Sequence, residues 1–405
     1  MIKGNLMYGQ SGGPSPVINA SAYGVITEAL ANSETIENIL LLRHGINGVL
    51  EENFVNVKDI KSDLELLKHT PASAMGSVRF KLVSHLEDKE VYEKMLEVFK
   101  KNNVRFFIYN GGNDSMDTCV KLSEFLKTVN YEMYVIGVPK TVDNDLPLTD
   151  HTPGFGSAAK YIINTIMQLK LDSNVYQHGK VTIVEIMGRH AGWLTAAAHV
   201  ATKEGNGPDL VYIPENIFDI KEFLKEVKGV YSKTQNCLIV VSEGIKDKEG
   251  NFIGAMSATV DAFGHKQLGG VATYLGDVIE SELGIPTRSI ELSTVQRSGS
   301  MCRSESDVNE AIEVGRHAIT FALNGENDKM VGIQRLDSED YQVAYIPVDV
   351  YKVANKEQVI PPHMIDGNNV TNAFFDYIYP LIEGEFTQIY KNGVQQFFKL
   401  INNNM

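Results

Sequence analysis

Two glycines, Gly111 and Gly112, follow the apolar run VRFFIYN, and behind them come an amide, a carboxylate and a hydroxyl: Asn113, Asp114 and Ser115. Glycines give access, Asp114 suits Mg²⁺ and Ser115, expected to open a helix, suits a phosphate oxygen. A carboxylate there also serves as a helix cap favoured by the dipole. In PKTVDNDLPLTD, Asp143 and Asp145 stand two apart, just after Lys140 and Thr141. An apposed cation keeps a carboxylate ionised and ready to accept a hydroxyl proton. It equally neutralises a transferring phosphoryl group. Two loop carboxylates also serve as solvated or turn residues.

In GQSGGPSP, Gly12 and Gly13 precede a helix whose expected first residue is Pro16. Exposed N–H groups at such a helix start suit a phosphate. The stretch matches neither the P-loop nor GxGxxG, so a tight turn explains it as well. EIMGRHAGWLT offers Arg189, suited to bidentate phosphate recognition, while His190 reads as a packing or capping residue. Glu243 ends the run VVSE, and Arg288 and Arg297 flank a further expected ligand edge.

These residues need elements that bring them together. Short apolar runs at 5–9, 38–43, 104–109, 133–138, 181–186, 210–214, 237–242 and 288–292 read as strands, several rich in Val and Ile with little alternation. Strands buried on both faces of a parallel sheet have that pattern. Helical patterns lie between them, as in SPVINASAYGVITEALA, DKEVYEKMLEVFKKN, SMDTCVKLSEFLKTV, SAAKYIINTIMQLKL and ESDVNEAIEVGRHAITFAL. The alternation predicts a doubly wound α/β fold with ligands beyond the carboxyl ends of the strands. The loops that follow strands share glycines for approach, carboxylates for metal and base, and cations for phosphate. Their sum is phosphoryl transfer to a sugar-like hydroxyl, a chemistry of positioning and charge stabilisation.

The chain has 405 residues, which favours two domains. A net charge of −14 argues against nucleic-acid and anionic-membrane surfaces, yet leaves room for a local cationic site. The three cysteines, Cys119, Cys237 and Cys302, form no CxxC pair, which points to a reducing cytoplasm rather than to disulfides or zinc. No run is long enough for a membrane span or a signal peptide, and the tail INNNM reads as frayed.

Taken in order, SGGPSPVINA, GGNDS, PKTVDND, MGR, SEG and PTR…QRSG closely resemble the phosphofructokinase family, from about residue 5 to 300. The resemblance implies two similar doubly wound parallel-sheet domains with the active site in their cleft. It divides the chain into 1–154 plus about 296–346 for the phosphoryl donor and 155–295 plus about 347–405 for fructose 6-phosphate. It implies Mg²⁺ and transfer to the sugar 1-hydroxyl. Asp143 resembles the family's base, Thr141 lies near the transferring phosphate, and Asp145 near the metal and sugar. Met187, Gly188 and Arg189 resemble the sugar-binding turn. Glu243 corresponds to a sugar-hydroxyl acceptor, and Arg288 and Arg297 to sugar-phosphate ligands. Lys180 stands where the family often has an arginine from a neighbouring subunit, so a homodimer or homotetramer with shared sugar-site groups is expected. Gly12, Gly13, Arg79, Asp114 and Ser115 fall to the donor phosphates.

ATP-using members read GGDGS and PGTIDND; pyrophosphate-using members resemble GGDDS and PKTIDND. Asp114 and Lys140 occupy the two discriminating positions here, so pyrophosphate is the expected donor, with ATP the rival. Three residues depart from the family pattern. Asn113 replaces an Asp and leaves Asp114 the better metal ligand, Pro14 replaces an Asp, and Thr294 replaces a His near the sugar phosphate. A non-catalytic sugar-phosphate sensor, a nicotinamide oxidoreductase and a lipid or NAD kinase are the rivals from other classes, and each fits the full motif set less well. The region past about 325 reads as helices and loops completing the second domain and an interface.

Overall fold

The computed structural model describes residues 2–254 and 270–400; the tail INNNM lies outside the described residues. Its principal strands are β1 (Gly4–Gln10), β2 (Ile36–Leu42), β3 (Phe54–Asn56), β4 (Val104–Gly111), β5 (Tyr134–Pro139), β6 (Val181–Ile186), β7 (Leu210–Tyr212), β8 (Cys237–Ser242), β9 (Thr287–Glu291), β10 (Lys329–Arg335) and β11 (Val343–Asp349). Its longer helices are α1 (Ile18–Ala31), α2 (Lys89–Lys101), α3 (Asn113–Thr128), α4 (Phe155–Ser173), α5 (Ile220–Thr234), α6 (Val271–Leu283), α7 (Glu305–Leu323) and α8 (Asn372–Ile378).

Two sheets result. The first runs β11-β10-β5-β4-β1-β2-β3, parallel through β10, β5, β4, β1 and β2, with antiparallel β11 and β3 at its edges. The second runs β7-β8-β6-β9, parallel throughout. The Val/Ile-rich runs are buried on both sides because successive side chains feed different cores. In β4, Phe106 and Ile108 enter one cluster while Phe107 and Tyr109 enter the other. In β6, Val181 and Ile183 face one cluster and Val184 and Ile186 the other.

The helices follow local rules. Asp88 caps α2 by accepting from the Val91 N–H, Glu90 lies in its first turn, and Lys100 and Lys101 lie in its last. Most of its buried residues, Tyr92, Met95, Leu96 and Phe99, repeat on one face, with Val98 buried beside them. Helix α7 returns the chain from the second unit to the first by lying backbone to backbone on α1. A Cβ on Gly24 would stand 2.0 Å from the Ile312 carbonyl oxygen, and one on Gly315 2.1 Å from that of Ser21. Only glycine allows this approach.

Three details differ from the sequence expectation. Helix α1 begins at Ile18, with Pro16 in the bend before it. Helix α3 begins at Asn113, so Ser115 lies within its first turn. Residues 329–349 form β10 and β11 of the first sheet, where helices and loops are expected past about 325; this agrees with the division that assigns about 296–346 to the donor domain. MVGI of β10 is a buried run of the same kind as the other strands. Its register with β5 is short, Lys329–Ile136 and Met330–Gly137, because β10 closes the parallel part of the sheet.

Candidate active site

The carboxyl ends of both sheets face one cavity of about 230 Å³. The first sheet contributes three loops. After β1, Gly12 (φ 75°) and Gly13 turn the chain, and residues 77–79 pack on this turn. Gly12 donates to the Val78 carbonyl at 3.0 Å and Ser77 Oγ donates to the Gly12 carbonyl at 2.6 Å, which sets Arg79 in the cavity wall. After β4, Gly112 caps α3, and Asn113, Asp114 and Ser115 of its first turn line the cavity. After β5 comes the loop of Lys140, Thr141, Asp143 and Asp145.

That third loop is pinned by a buried network. Thr152 donates to the Thr141 carbonyl (2.8 Å) and, through its N–H, to Asn144 Oδ1 (3.0 Å). Asn144 Nδ2 donates to the Tyr377 hydroxyl (2.7 Å), which donates to the Asp150 carbonyl (2.9 Å). The Asp143 N–H donates to Thr141 Oγ1 at 3.1 Å. Asn144 takes φ 55°, which turns the chain between the two aspartates.

Lys140 is 4% exposed, and its Nζ donates to the Gly13 carbonyl at 2.5 Å. Burial lowers its pKa to about 8, although Asp143 and Asp145 work to hold its charge. Both aspartates are pushed above the ordinary carboxylate range. For Asp143, burial leads, then the charge of Glu243, against Lys140 and Arg297. For Asp145, burial leads, then Asp143 and Glu357, against a hydrogen bond from Thr141.

The second sheet supplies the opposite wall. After β6, Met187, Arg189, His190 and Ala191 line the cavity. Gly188 takes φ 144°, and its N–H donates to Glu243 Oε1 at 3.3 Å. Glu243 follows β8; burial raises its pKa and that N–H opposes the rise. Ser242 Oγ donates to the Gly188 carbonyl at 2.5 Å, and Met187 N–H to Gln296 Oε1 at 3.2 Å. These bonds hold the 187–189 turn between β8 and the segment after β9. Arg297, from that segment, reaches across to the first glycine turn: a Cβ on Gly13 would stand 3.1 Å from its Nη1.

Most expected residues thus meet: Gly12, Gly13, Arg79, Asn113, Asp114, Ser115, Lys140, Thr141, Asp143, Asp145, Met187, Arg189, Glu243 and Arg297 all line one cavity. Arg288 and Lys180 do not. Arg288 sits at the start of β9, more than half exposed and 3.8 Å from Asp172, and Lys180 immediately precedes β6. The cavity lies at the other end of these strands, roughly 16 Å away at ~3.3 Å per residue. Arg288 therefore does not share one ligand edge with Arg297 within this chain. His190, read as a packing residue, lies in the cavity wall, with Nδ1 3.6 Å from Glu357. Glu357 itself went unnoticed because no motif surrounds it and only the chain's return across the cavity brings it there.

Hard oxygen donors from Asp114, Ser115, the Asn113 carbonyl and Asp145 suit Mg²⁺, and the raised carboxylates around them are those a cation would hold ionised. Among the described residues no three His, Cys, Asp or Glu side chains are grouped to hold a metal by themselves. Mg²⁺ bound through one or two carboxylates, with water and substrate phosphate completing its shell, needs no such group.

Two doubly wound units closing on a cavity that holds paired carboxylates, a buried lysine and several arginines define an α/β phosphotransferase. The chain belongs to the phosphofructokinase family, whose model matches residues 5–322. It is 41% identical over 412 residues to a pyrophosphate–fructose 6-phosphate 1-phosphotransferase of Xanthomonas campestris pv. campestris, covering 99% of this chain and 97% of that protein. The corresponding enzyme of Halomonas elongata is 41% identical over 406 residues, with the same two coverages. A pyrophosphate-dependent phosphofructokinase structure from Nitrosospira multiformis superposes with a TM-score of 0.88 at 37% identity, covering 98% of this chain and 96% of that one.

Proposed function

We propose that this protein transfers a phosphoryl group from pyrophosphate to the 1-hydroxyl of fructose 6-phosphate, giving fructose 1,6-bisphosphate and phosphate, in either direction. The unit built on the first sheet holds the donor and the unit built on the second holds the sugar. One observation carries the reading: Lys140 and Asp114 share a cavity with Asp143, Arg189, Glu243 and Arg297.

Asp143 takes the proton of the 1-hydroxyl as that oxygen attacks. Its raised pKa suits a group that must accept a proton and later give it back. Lys140 lies against the first glycine turn, where its ammonium meets the phosphate that leaves. Arg79 and the first turn of α3 face the donor phosphates. Met187, Gly188 and Glu243 shape the sugar pocket, and Arg189 and Arg297 stabilise charge on the moving phosphoryl group and the sugar phosphate. Asp114, with Asn113 and Asp145, would hold Mg²⁺, which supplies charge neutralisation on the donor. Lys140 and Asp114 fill the space and add the charge pattern that favour a short donor over a nucleotide.

Lys180 and Arg288 act in this reading from a second copy of the chain, in a homodimer or homotetramer. The exposed Arg288 and the half-buried Lys180, at the strand starts, are left for a partner's sugar phosphate. No helix among the described residues is long and apolar enough to cross a membrane, and all three cysteines are free; both fit a cytoplasmic enzyme.

A donor swap tests the assignment. Purified protein, fructose 6-phosphate and Mg²⁺ are given pyrophosphate or ATP at equal concentration. Turnover with pyrophosphate and almost none with ATP is expected. Turnover with ATP alone would overturn the roles of Asp114 and Lys140, and turnover with neither would leave a sugar-phosphate binder.

A further inference from the structure

The chain crosses from the first sheet unit to the second at residues 354–360, and this crossing runs along the cavity. Its ties are made one after another. Asn355 Nδ2 donates to Asp117 Oδ1 of α3 at 2.9 Å. The Lys356 carbonyl accepts from Asn113 Nδ2 at 3.3 Å. The Gln358 N–H donates to the Asp145 carbonyl at 2.7 Å, and the Gln358 carbonyl accepts from Trp193 Nε1 at 3.4 Å. The Ile360 N–H donates at 3.3 Å to Glu215 Oε1, which also accepts from Gly192 at 2.8 Å. The crossing is thus fastened in turn to the donor turn, the loop of the base and the end of the sugar turn. Between those ties it places Glu357 in the cavity wall. The segment lies beyond the residues the family model matches.

We propose that Asn113 is a positioning residue. Its amide fastens the strap 354–360 to the donor turn, so that the strap sets the gap between donor turn and base loop and holds Glu357 in the cavity. Asn113 is the first residue of α3, where the helix dipole favours a carboxylate. An amide stands there instead because the facing group is a carbonyl. An ionised aspartate has no hydrogen to give and would set oxygen against oxygen. The strap's other ties to the base loop and sugar turn run through its backbone, so nothing in its side-chain sequence advertises them. Glu357 adds its charge to those acting on Asp143 and Asp145, which gives the strap's position a route to the chemistry.

The kinetic arm of the test rests on the proposed pyrophosphate activity; a second arm does not. Trp193 is the chain's single tryptophan, is 1% exposed, and bonds the strap directly. Its emission and its quenching by acrylamide report strap attachment without any substrate. Asn113→Asp suits its helix position, so the variant should fold, which circular dichroism checks. It is expected to at least double the quenching constant of Trp193 and to lower kcat/KM for pyrophosphate about tenfold, the loss of one hydrogen bond and its alignment. Glu357→Gln should cost activity in the native background and much less in the Asn113→Asp background, because both act through one strap. Loss of activity with unchanged Trp193 quenching and additive effects would overturn the proposal and make Asn113 a direct donor ligand. Altered quenching with unaltered kinetics would overturn it as well. If the native protein turned over no pyrophosphate, the proposed function would fail, while unchanged quenching in Asn113→Asp would still refute the strap and raised quenching support it.

Discussion

Replacing Lys140 by methionine keeps the length of the side chain and removes its charge, which separates what that charge does for the fold from what it does for the reaction. Lys140 is almost fully buried, and its pKa falls from 10.5 to about 8. The charged form is therefore disfavoured in the fold by about 3 kcal/mol relative to water, an upper bound. The folded state binds fewer protons than the unfolded one between pH 8 and 10.4, so this penalty is full below pH 8 and fades as pH rises. Lys140→Met removes it. At pH 7 the melting temperature should rise by up to about 3 °C, given ~2 cal/mol/K per residue of melting entropy. The Gly13 carbonyl, which loses its donor, faces the cavity, where water replaces it. Activity should move the other way. A preorganised cation lost from a transferring phosphoryl group costs roughly 10²- to 10³-fold in kcat/KM. The fall in kcat/KM above about pH 8, as Lys140 deprotonates, should vanish with the side chain. Calorimetry at pH 7 and a pH series of fructose 1,6-bisphosphate formation read both arms. A lower melting temperature, a loss under tenfold, or a persisting basic limb would refute this account.

Three further outcomes are expected. His151 is buried between Asp150 Oδ1 (2.8 Å) and Glu310 Oε2 (2.5 Å); burial opposes its charge, but the two carboxylates prevail and push its pKa up to about 9. Its stabilisation is full below pH ~6.5 and lost as pH rises through 9, so the melting-temperature gap between native protein and His151→Gln should narrow over that range. Gly188→Ala forces a side chain into φ 144° with its Cβ 2.7 Å from the Ala191 carbonyl oxygen. Strain of roughly 1–3 kcal/mol should appear mainly as a higher KM for fructose 6-phosphate, with KM for pyrophosphate little changed. Arg288→Ala and Arg297→Ala should each raise the sugar KM about tenfold or more, and mixed oligomers of the two variants should recover sites in which one chain supplies Arg297 and its partner supplies Arg288. No recovery on mixing would refute a role for Arg288 in a partner's sugar site.

What the sequence discloses depends on how far each contact reaches. The eight strand runs carry their own pattern, because a strand buried on both faces must be apolar throughout, and β6 and β8 match residue for residue. The loops after strands disclose the site for a related reason. A parallel sheet gathers the ends of distant strands, so Asp114, Asp143, Arg189 and Glu243, far apart in sequence, converge on one cavity. Helix starts are less legible: Pro16 satisfies the rule for a first helical residue, yet the turn of Ser15 and Pro16 carries the chain past the buried Arg303, whose Nη1 bonds the Pro16 carbonyl. Strand β10 carries a strand-like run of its own in MVGI, but its place at the edge of the parallel sheet is set by α7 lying on α1, a packing written in Gly24 and Gly315.

Arg288 and Glu357 show the two ways in which spacing misleads. Arg288 lies nine residues from Arg297, but a strand between them carries the two to opposite ends of the sheet. Nearness in sequence becomes distance in space wherever the backbone is extended, at ~3.3 Å per residue. Glu357 is the reverse: it is remote from every motif and reaches Asp143 and Asp145 only because the chain must cross between two units that close on one cavity. A two-unit fold that builds its site at the closure must pass connecting chain beside that site. Here Asn355 and Asn113 at one end, and Trp193 and Glu215 at the other, hold such a connection in place. The physical reason to look for catalytic influence in an unremarkable linker is therefore topological, and Asn113, the one odd letter in GGNDS, is where the sequence records it.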